Sequence, residues 1–232
     1  RTKKQIYIMY VGPDIVDDGL IFAVDAGSGR SYSGSGTTAY NIINNASCTL
    51  NNGVGFGSGN GGYFDFDGVD DNITIPNDSI PSSATTNKVS ICFWSYGEVE
   101  NQSNSIIEGN NSVGGRTVNI HMPWSNNTIY WDNPDRLTYQ LSTGQSLGWH
   151  YWSFTKDAAT GANAIYQDGV LLASNSTAFS SIGVTTAARI GSYTINTTFW
   201  RGNISVFQIY NKPLTLTEIQ QNFNAQRTRF GL

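Results

Sequence analysis

Apolar and polar residues alternate in short runs along most of the chain, as in Tyr63–Phe66, where Phe64 and Phe66 share one face. Clusters of Gly, Asn, Ser and Pro, the residues that favour turns, separate these runs. The pattern predicts an all-β sandwich or barrel. The predicted strands are Leu20–Val24, Gly62–Phe66, Asn72–Ile75, Val89–Trp94, Ser105–Glu108, Thr117–Met122, Thr128–Trp131, Trp149–Thr155, Ala164–Gln167, Val170–Ala173, Ala188–Ile190 and Asn203–Tyr210.

One short helix is predicted near the C-terminus. Thr215 and Glu218 have the spacing of a capping box, in which each side chain satisfies a free amide of the other residue. Leu216, Ile219 and Phe223 follow at helical spacing and predict one apolar stripe that packs on the sandwich. We expect one domain over residues 18–232, preceded by an arm or edge strand over residues 1–17.

Composition excludes several classes of protein. Charged residues make up 13% of the 232 residues and the net charge is −4, so the clustered Lys and Arg that nucleic-acid binding needs are missing. No window approaches the roughly 18 apolar residues of a membrane span. Cys48 and Cys92 are expected to be free thiols, although a bridge between them stays open.

Several segments resemble laminin-G-like, concanavalin-A-type jelly rolls. They are the strand–turn–strand Gly62–Ile73, the Trp/His strand Gly148–Thr155, the hairpin Tyr166–Val170, and the closing segments Arg189–Gly191 and Phe199–Ile204. The resemblance implies an antiparallel two-sheet jelly-roll sandwich with one short C-terminal helix. Because this fold hosts lectins, glucanases, adhesion modules and capsid decorations, it does not by itself fix the function.

Both ends of this region resemble virion proteins of tailed bacteriophages, through Asp18–Gly27, Ile209–Asn224 and Arg229–Gly231. The resemblance implies a non-catalytic accessory protein of the virion surface, such as a capsid decoration, head-fibre or tail-fibre module. Its partners would be other virion proteins and host-surface glycans, in a homo-oligomer or symmetric assembly. The alternatives are a secreted or cell-surface lectin-like adhesion module and, third, a glucanase-related glycoside hydrolase.

We expect no catalytic site. Glycoside hydrolysis needs two facing carboxylates, and Glu98 and Glu100 are the only closely spaced glutamates. The third acid of the glucanase pattern Glu-x-Asp-x-x-Glu is missing after them. His121 and His150 are the only histidines, and both are expected to be structural: His150 at the edge of the core and His121 packed beside Pro123.

Two kinds of ligand site are predicted in loops and strands. Asp67, Asp70 and Asp71 lie within one turn and could hold a structural Ca²⁺ through carboxylate oxygens; otherwise they only shape the turn, and no cofactor is expected. Sugar recognition combines aromatic faces with polar groups that bind hydroxyls. The predicted glycan-binding residues are Trp124, Trp131, Asp132, Tyr193 and Trp200.

Docking on a neighbouring protein is predicted for the two termini. An exposed basic edge strand can pair with a partner chain, and a basic, aromatic tail can pack against one. The predicted docking residues are Lys3, Lys4, Tyr7, Arg227, Arg229 and Phe230.

Overall fold

The computed structural model of the chain describes residues 14–193 and 198–232. One sheet, sheet A, contains β1 (Leu20–Asp25), β4 (Gly55–Gly57), β5 (Tyr63–Asp67), β7 (Lys88–Gly97), β12 (Gly148–Asp157), β13 (Ala162–Gln167), β14 (Val170–Asn175) and β18 (Arg201–Tyr210). The second, sheet B, contains β2 (Thr38–Tyr40), β3 (Ser47–Asn51), β6 (Asn72–Ile75), β8 (Ser105–Asn110), β9 (Arg116–His121), β10 (Thr128–Asp132), β11 (Arg136–Gln140) and β15 (Ala187–Ile190). A small hairpin pairs β16 (Ser192–Tyr193) with β17 (Thr198–Phe199).

The strand order is that of a two-layer antiparallel sandwich. Sheet A runs β14-β13-β12-β7-β18-β5-β4, with β1 also paired to β18, and sheet B runs β11-β10-β9-β8-β15-β6-β3-β2. The ladders of both sheets are antiparallel. Neighbours along each sheet are often distant in sequence, as in a jelly roll. The predicted fold class is therefore confirmed.

The core lies between the two sheets and is built from the inward positions of alternating strands. Phe93 of β7 stacks between Phe154 and Phe207 of the neighbouring strands, with ring centroids 5.9 and 5.5 Å away. From the opposite sheet, the indole of Trp131 meets Phe154 edge-on at 5.8 Å. Trp131 Nε1 also donates to the carbonyl of Thr155, so its polar atom is satisfied inside the core.

The predicted helix is present as α1 (Leu216–Gln226), and its capping box is formed by Thr215 and Glu218. Ile219 is buried as expected, but Leu216 is 46% exposed, so its predicted place in the apolar stripe is wrong. Leu214, just before the cap, is buried instead, and Leu216 in the first turn is left facing solvent.

The C-terminal segment packs on the outer face of sheet A, which corrects part of the docking prediction. Phe230 is buried, and its ring stacks on Trp94 at 4.0 Å. The Arg229 guanidinium binds Asp25 at 2.9 Å and the carbonyl oxygen of Gly62 at 2.9 Å. Both side chains are therefore used within the chain rather than offered to a partner. Arg227 remains exposed, and the predicted docking residues Lys3, Lys4 and Tyr7 lie outside the described residues.

Six strands that the structure describes were not predicted from the sequence pattern, because they are short or rich in polar residues and Gly: β2, β3, β4, β11, β16 and β17. Cys48 and Cys92 are free, buried thiols, as expected. Among the described residues, no helix is long and apolar enough to cross a membrane.

Candidate functional site

A cluster of charged and aromatic side chains lies on the outer face of sheet B, where β9, β10 and β11 are adjacent. Strand alternation places it there: Ile129 and Trp131 of β10 are fully buried in the core, so Tyr130 and Asp132 point to the opposite face. Tyr130 pairs in register with His121 of β9, which brings the polar faces of the two strands together.

Asp132 lies at the centre of this cluster and binds two arginines from the flanking strands. Its Oδ2 accepts from Nη1 of Arg116 at 3.0 Å and from Nη2 of Arg136 at 2.8 Å, and its Oδ1 accepts from Nε of Arg136 at 2.6 Å. The Asp132 side chain is only 7% exposed. The bidentate pair with Arg136 raises the pKa of that guanidinium and fixes its plane.

Aromatic rings hold the same two guanidiniums from the other side. Cζ of Arg116 lies 4.6 Å from the centre of the Tyr193 ring, and Cζ of Arg136 lies 4.8 Å from that of Tyr130. Both distances are within the range of cation–π contacts. Nε of Arg116 also donates to the Tyr193 hydroxyl at 3.0 Å, so the hairpin β16–β17 is attached to the cluster.

His121 forms the floor of the cluster between two aromatic rings. Its ring centroid is 4.5 Å from that of Trp124 and 5.4 Å from that of Tyr193, both in edge-to-face geometry. Burial is the main cause that lowers the pKa of His121 to about 4, with a further contribution from the Arg116 charge. The imidazole is thus neutral at pH 7. Nδ1 lies 3.3 Å from the carbonyl oxygen of Asn104, which can only accept, so we assign the proton to Nδ1.

These side chains enclose a cavity of about 180 Å³ that is open to solvent, lined by Arg116, His121, Trp124, Tyr130 and Arg136. The cavity combines an aromatic surface, two guanidiniums and a neutral imidazole. Such a mixture can pack against the C–H face of a sugar ring and bind its polar substituents.

A second polar cavity, of about 270 Å³, lies on the same face of sheet B. It is lined by Asn52, Asp70, Asn72, Arg189, Ser192 and Phe199. The hairpin β16–β17 contacts the first cluster through Tyr193 and lines the second cavity through Ser192 and Phe199. The face therefore offers two adjacent polar depressions rather than one.

The structure separates the predicted glycan-binding residues into two groups. Trp124, Asp132 and Tyr193 lie in the cluster, although Asp132 and Tyr193 are buried and act on the arginines. Trp131 and Trp200 are 0% and 1% exposed, so the prediction that they contact a glycan is wrong: both indoles belong to the core. Four side chains that line the cavity beside Trp124 were not predicted from the sequence as binding residues, namely Arg116, His121, Tyr130 and Arg136.

The three predicted calcium ligands do come together. Asp67, Asp70 and Asp71 each offer a carboxylate oxygen, and these oxygens lie within 4.8 Å of one another. Two oxygens that bind one Ca²⁺ at about 2.3–2.6 Å are at most about 5 Å apart, so the spacing fits such an ion. Burial, followed by the charges of the neighbouring aspartates, raises the pKa of Asp71, and its buried Oδ1 has no hydrogen-bond partner among residues 14–193 and 198–232. Calcium binding stays a prediction.

The side chains considered for catalysis, two glutamates and a histidine, make local contacts away from this cluster. Glu98 lies 3.6 Å from Arg201, and Glu100 accepts a hydrogen bond of 2.7 Å from the backbone N–H of Gly144. His150 lies 2.7 Å from Asp168. These contacts account for the positions of the three side chains in structural terms.

Comparison with known proteins places the fold. Residues 67–220, more than half of the chain, match a laminin-G-type family described as the concanavalin A-like lectin/glucanases superfamily. The chain belongs to this family. No curated protein sequence matches it significantly.

Solved structures of similar fold include domains of larger proteins. A Trypanosoma rangeli sialidase in complex with 2,3-difluorosialic acid has a TM-score of 0.70 at 12% identity, over 94% of this chain and 35% of the sialidase. The ligand binding domain of botulinum neurotoxin serotype D, in complex with N-acetylneuraminic acid, has a TM-score of 0.67 at 17% identity, over 90% of this chain and 51% of that domain.

Domain 4 of AbnA, an extracellular arabinanase from Geobacillus stearothermophilus in complex with arabinotriose, has a TM-score of 0.65 at 18% identity, over 88% of this chain and 98% of the domain. The chain spans about one third of the sialidase and about half of the neurotoxin domain. At these identities the likeness establishes the shared fold alone, and function must be argued from the site.

Proposed function

We propose that this chain is a non-catalytic carbohydrate-binding module and that the cavity on β9–β11 is its binding site. The single observation that carries the proposal is the cavity itself, in which Trp124 and Tyr130 lie beside two guanidiniums held in place by Asp132. Carbohydrate sites have this composition because a sugar ring presents both apolar C–H patches and polar groups.

The geometry favours binding because the polar groups are fixed before a ligand arrives. Each guanidinium is held by a carboxylate on one side and by an aromatic ring on the other, so little side-chain freedom remains to be lost. Glycan ligands in the structures of the sialidase, the neurotoxin domain and AbnA domain 4 are consistent with this class of ligand.

The proposal of a non-catalytic role rests on the character of the cluster. The carboxylate of the cluster belongs to Asp132, and arginines donate hydrogen bonds to both oxygens of this carboxylate. Glycoside hydrolysis in most families needs two carboxylates on opposite sides of the scissile bond, one of them able to donate a proton. The cavity lining, as the structure describes it, supplies no such facing pair of carboxylates.

We further propose that the module works on the surface of a tailed-bacteriophage particle, as a capsid decoration, head-fibre or tail-fibre module within a symmetric assembly. The support is the resemblance of Asp18–Gly27 and Ile209–Asn224 to phage virion proteins. Glycan binding would then attach the particle to a host surface. Antibody labelling of purified particles tests the location, and finding the chain only in the culture medium would favour the alternative of a secreted adhesion module.

A glycan array with matched variants tests the binding function. Trp124→Ala is expected to reduce glycan binding at least tenfold, because it removes the ring that would stack on the sugar. Tyr96→Ala is the control: Tyr96 is a 38% exposed aromatic residue on sheet A and should leave binding unchanged. An array without binding, or an equal loss in both folded variants, would contradict the proposal.

A further inference from the structure

We infer that the saccharide bound at this cavity is anionic, and that Arg116 and Arg136 together hold its acid group. The inference rests on the proposed carbohydrate-binding function and names the chemical class of its ligand. The shared chemistry is a carboxylate or sulfate group on a sugar.

The charge of the cluster is the first observation. Two arginines, Arg116 and Arg136, surround one carboxylate, Asp132. This positive excess lies on a chain whose net charge is −4. A neutral His121 in the floor adds no charge, so the excess comes from guanidiniums alone.

The unused donors are the second observation. A guanidinium has five N–H groups. Arg116 uses Nε and Nη1, and Arg136 uses Nε and Nη2, in the hydrogen bonds described above. Nη2 of Arg116 and Nη1 of Arg136 therefore have no hydrogen-bond partner within residues 14–193 and 198–232, although both side chains line the cavity.

The partial burial of the site decides which acceptor these donors prefer. The Arg116 side chain is 33% exposed and its partner Asp132 only 7%. In such surroundings, a hydrogen bond to an ionised acceptor is roughly twice as strong as one to a neutral hydroxyl. Two guanidiniums around one carboxylate leave room for a second anion, whereas a neutral sugar would leave the excess charge unmatched.

Matched pairs of saccharides test the inference with the whole chain. The probes are oligogalacturonate and its methyl ester, sialyllactose and its methyl ester, and a sulfated galactan oligosaccharide and its desulfated form, each titrated calorimetrically. At least one acidic form should bind at least tenfold more tightly than its neutral partner. Its affinity should fall between 20 and 300 mM NaCl, because salt screens the contact. Binding of only the sulfated or only the carboxylated forms identifies the acid group.

Two arginines of equal exposure provide the variant and its control. Arg136 and Arg201 both have side chains that are 52% exposed, but Arg201 pairs with Glu98 away from the cavity. Arg136→Gln should weaken binding of the acidic probe at least tenfold, Arg136→Lys should weaken it less, and Arg201→Gln should have no effect.

The possible failures are distinguishable. Equal affinity for acidic and neutral partners, or an Arg136→Gln variant with unchanged affinity, overturns the inference while the carbohydrate-binding function stands. If neither the array nor these probes bind, both fail. Circular dichroism of each variant shows whether it is folded, and Arg136→Lys provides the comparison if Arg136→Gln is not.

Discussion

Replacing His121 by Gln should remove a definite part of the acid sensitivity of this domain. In the folded chain His121 has a pKa of about 4, whereas in the unfolded chain its pKa is near the usual 6.5. The unfolded state therefore binds the proton more tightly, and stability falls as the pH is lowered between these two values. With these pKa values, His121 alone costs about 2 kcal/mol of unfolding free energy between pH 7.5 and pH 5.

The cause of this sensitivity is structural. The ring of His121 is 3% exposed and lies between Trp124 and Tyr193, so the charged imidazolium would lose its hydration. The charge of Arg116 opposes protonation as well, and the nearby Asp132 offsets only part of these effects.

Urea unfolding of the wild type and His121→Gln at pH 7.5 and pH 5 measures this contribution. Titrating carboxylates affect both proteins similarly, so the difference between their pH dependences isolates the imidazole. The wild type should lose about 2 kcal/mol more than the variant over this interval. Equal losses in both proteins would refute the burial argument, whatever stability the variant has at pH 7.5.

Three further predictions concern other parts of the fold. In calcium-free buffer at pH 7, Asp71→Asn should raise the Tm, because the raised pKa of Asp71 means that its ionised form costs stability. If the site binds calcium, the wild type should have the higher Tm of the two proteins in 1 mM CaCl₂. Lys156→Met should lower the unfolding free energy by about 1–2 kcal/mol in urea titrations, because Asp135 loses the partner 2.7 Å away but keeps its hydrogen bonds from Ser180. Phe230→Ala should lower the unfolding free energy by about 3 kcal/mol and change tryptophan fluorescence, because the Phe230 ring stacks on Trp94. An unchanged stability would instead support the prediction that Phe230 docks on a partner.

The fold was predictable wherever a strand buries one face and is long enough to show its period. The strands β7 and β12 are ten residues each and were predicted with small errors at their ends. The strand β4 consists of Gly55, Phe56 and Gly57 and has no alternation to detect. Such a strand forms because its neighbour β5 offers it a hydrogen-bonding edge, which is information that local sequence does not contain.

The candidate site was predictable only in part, and Trp131 shows why. Ile129 and Trp131 share one face of β10, and assigning that face to the core would have turned Tyr130 and Asp132 outward. The prediction instead took Trp131 as a sugar platform. Arg116 and Arg136 could not be paired from sequence, because their proximity depends on the registers of β9, β10 and β11, which are tertiary properties.

The contacts of Asp132 determine how strongly each substitution in the site should affect stability and binding. The buried carboxylate holds both guanidiniums, so its removal would leave two cations without their carboxylate partner and disturb folding as well as binding. Arg136 is half exposed, and after its loss Asp132 still binds Arg116 at 3.0 Å, so Arg136→Gln should impair binding with a smaller effect on stability. If the cluster served only to stabilise sheet B, stability and binding would fall together in every variant. The separation of the two effects at Arg136 therefore distinguishes a binding site from a structural ion cluster.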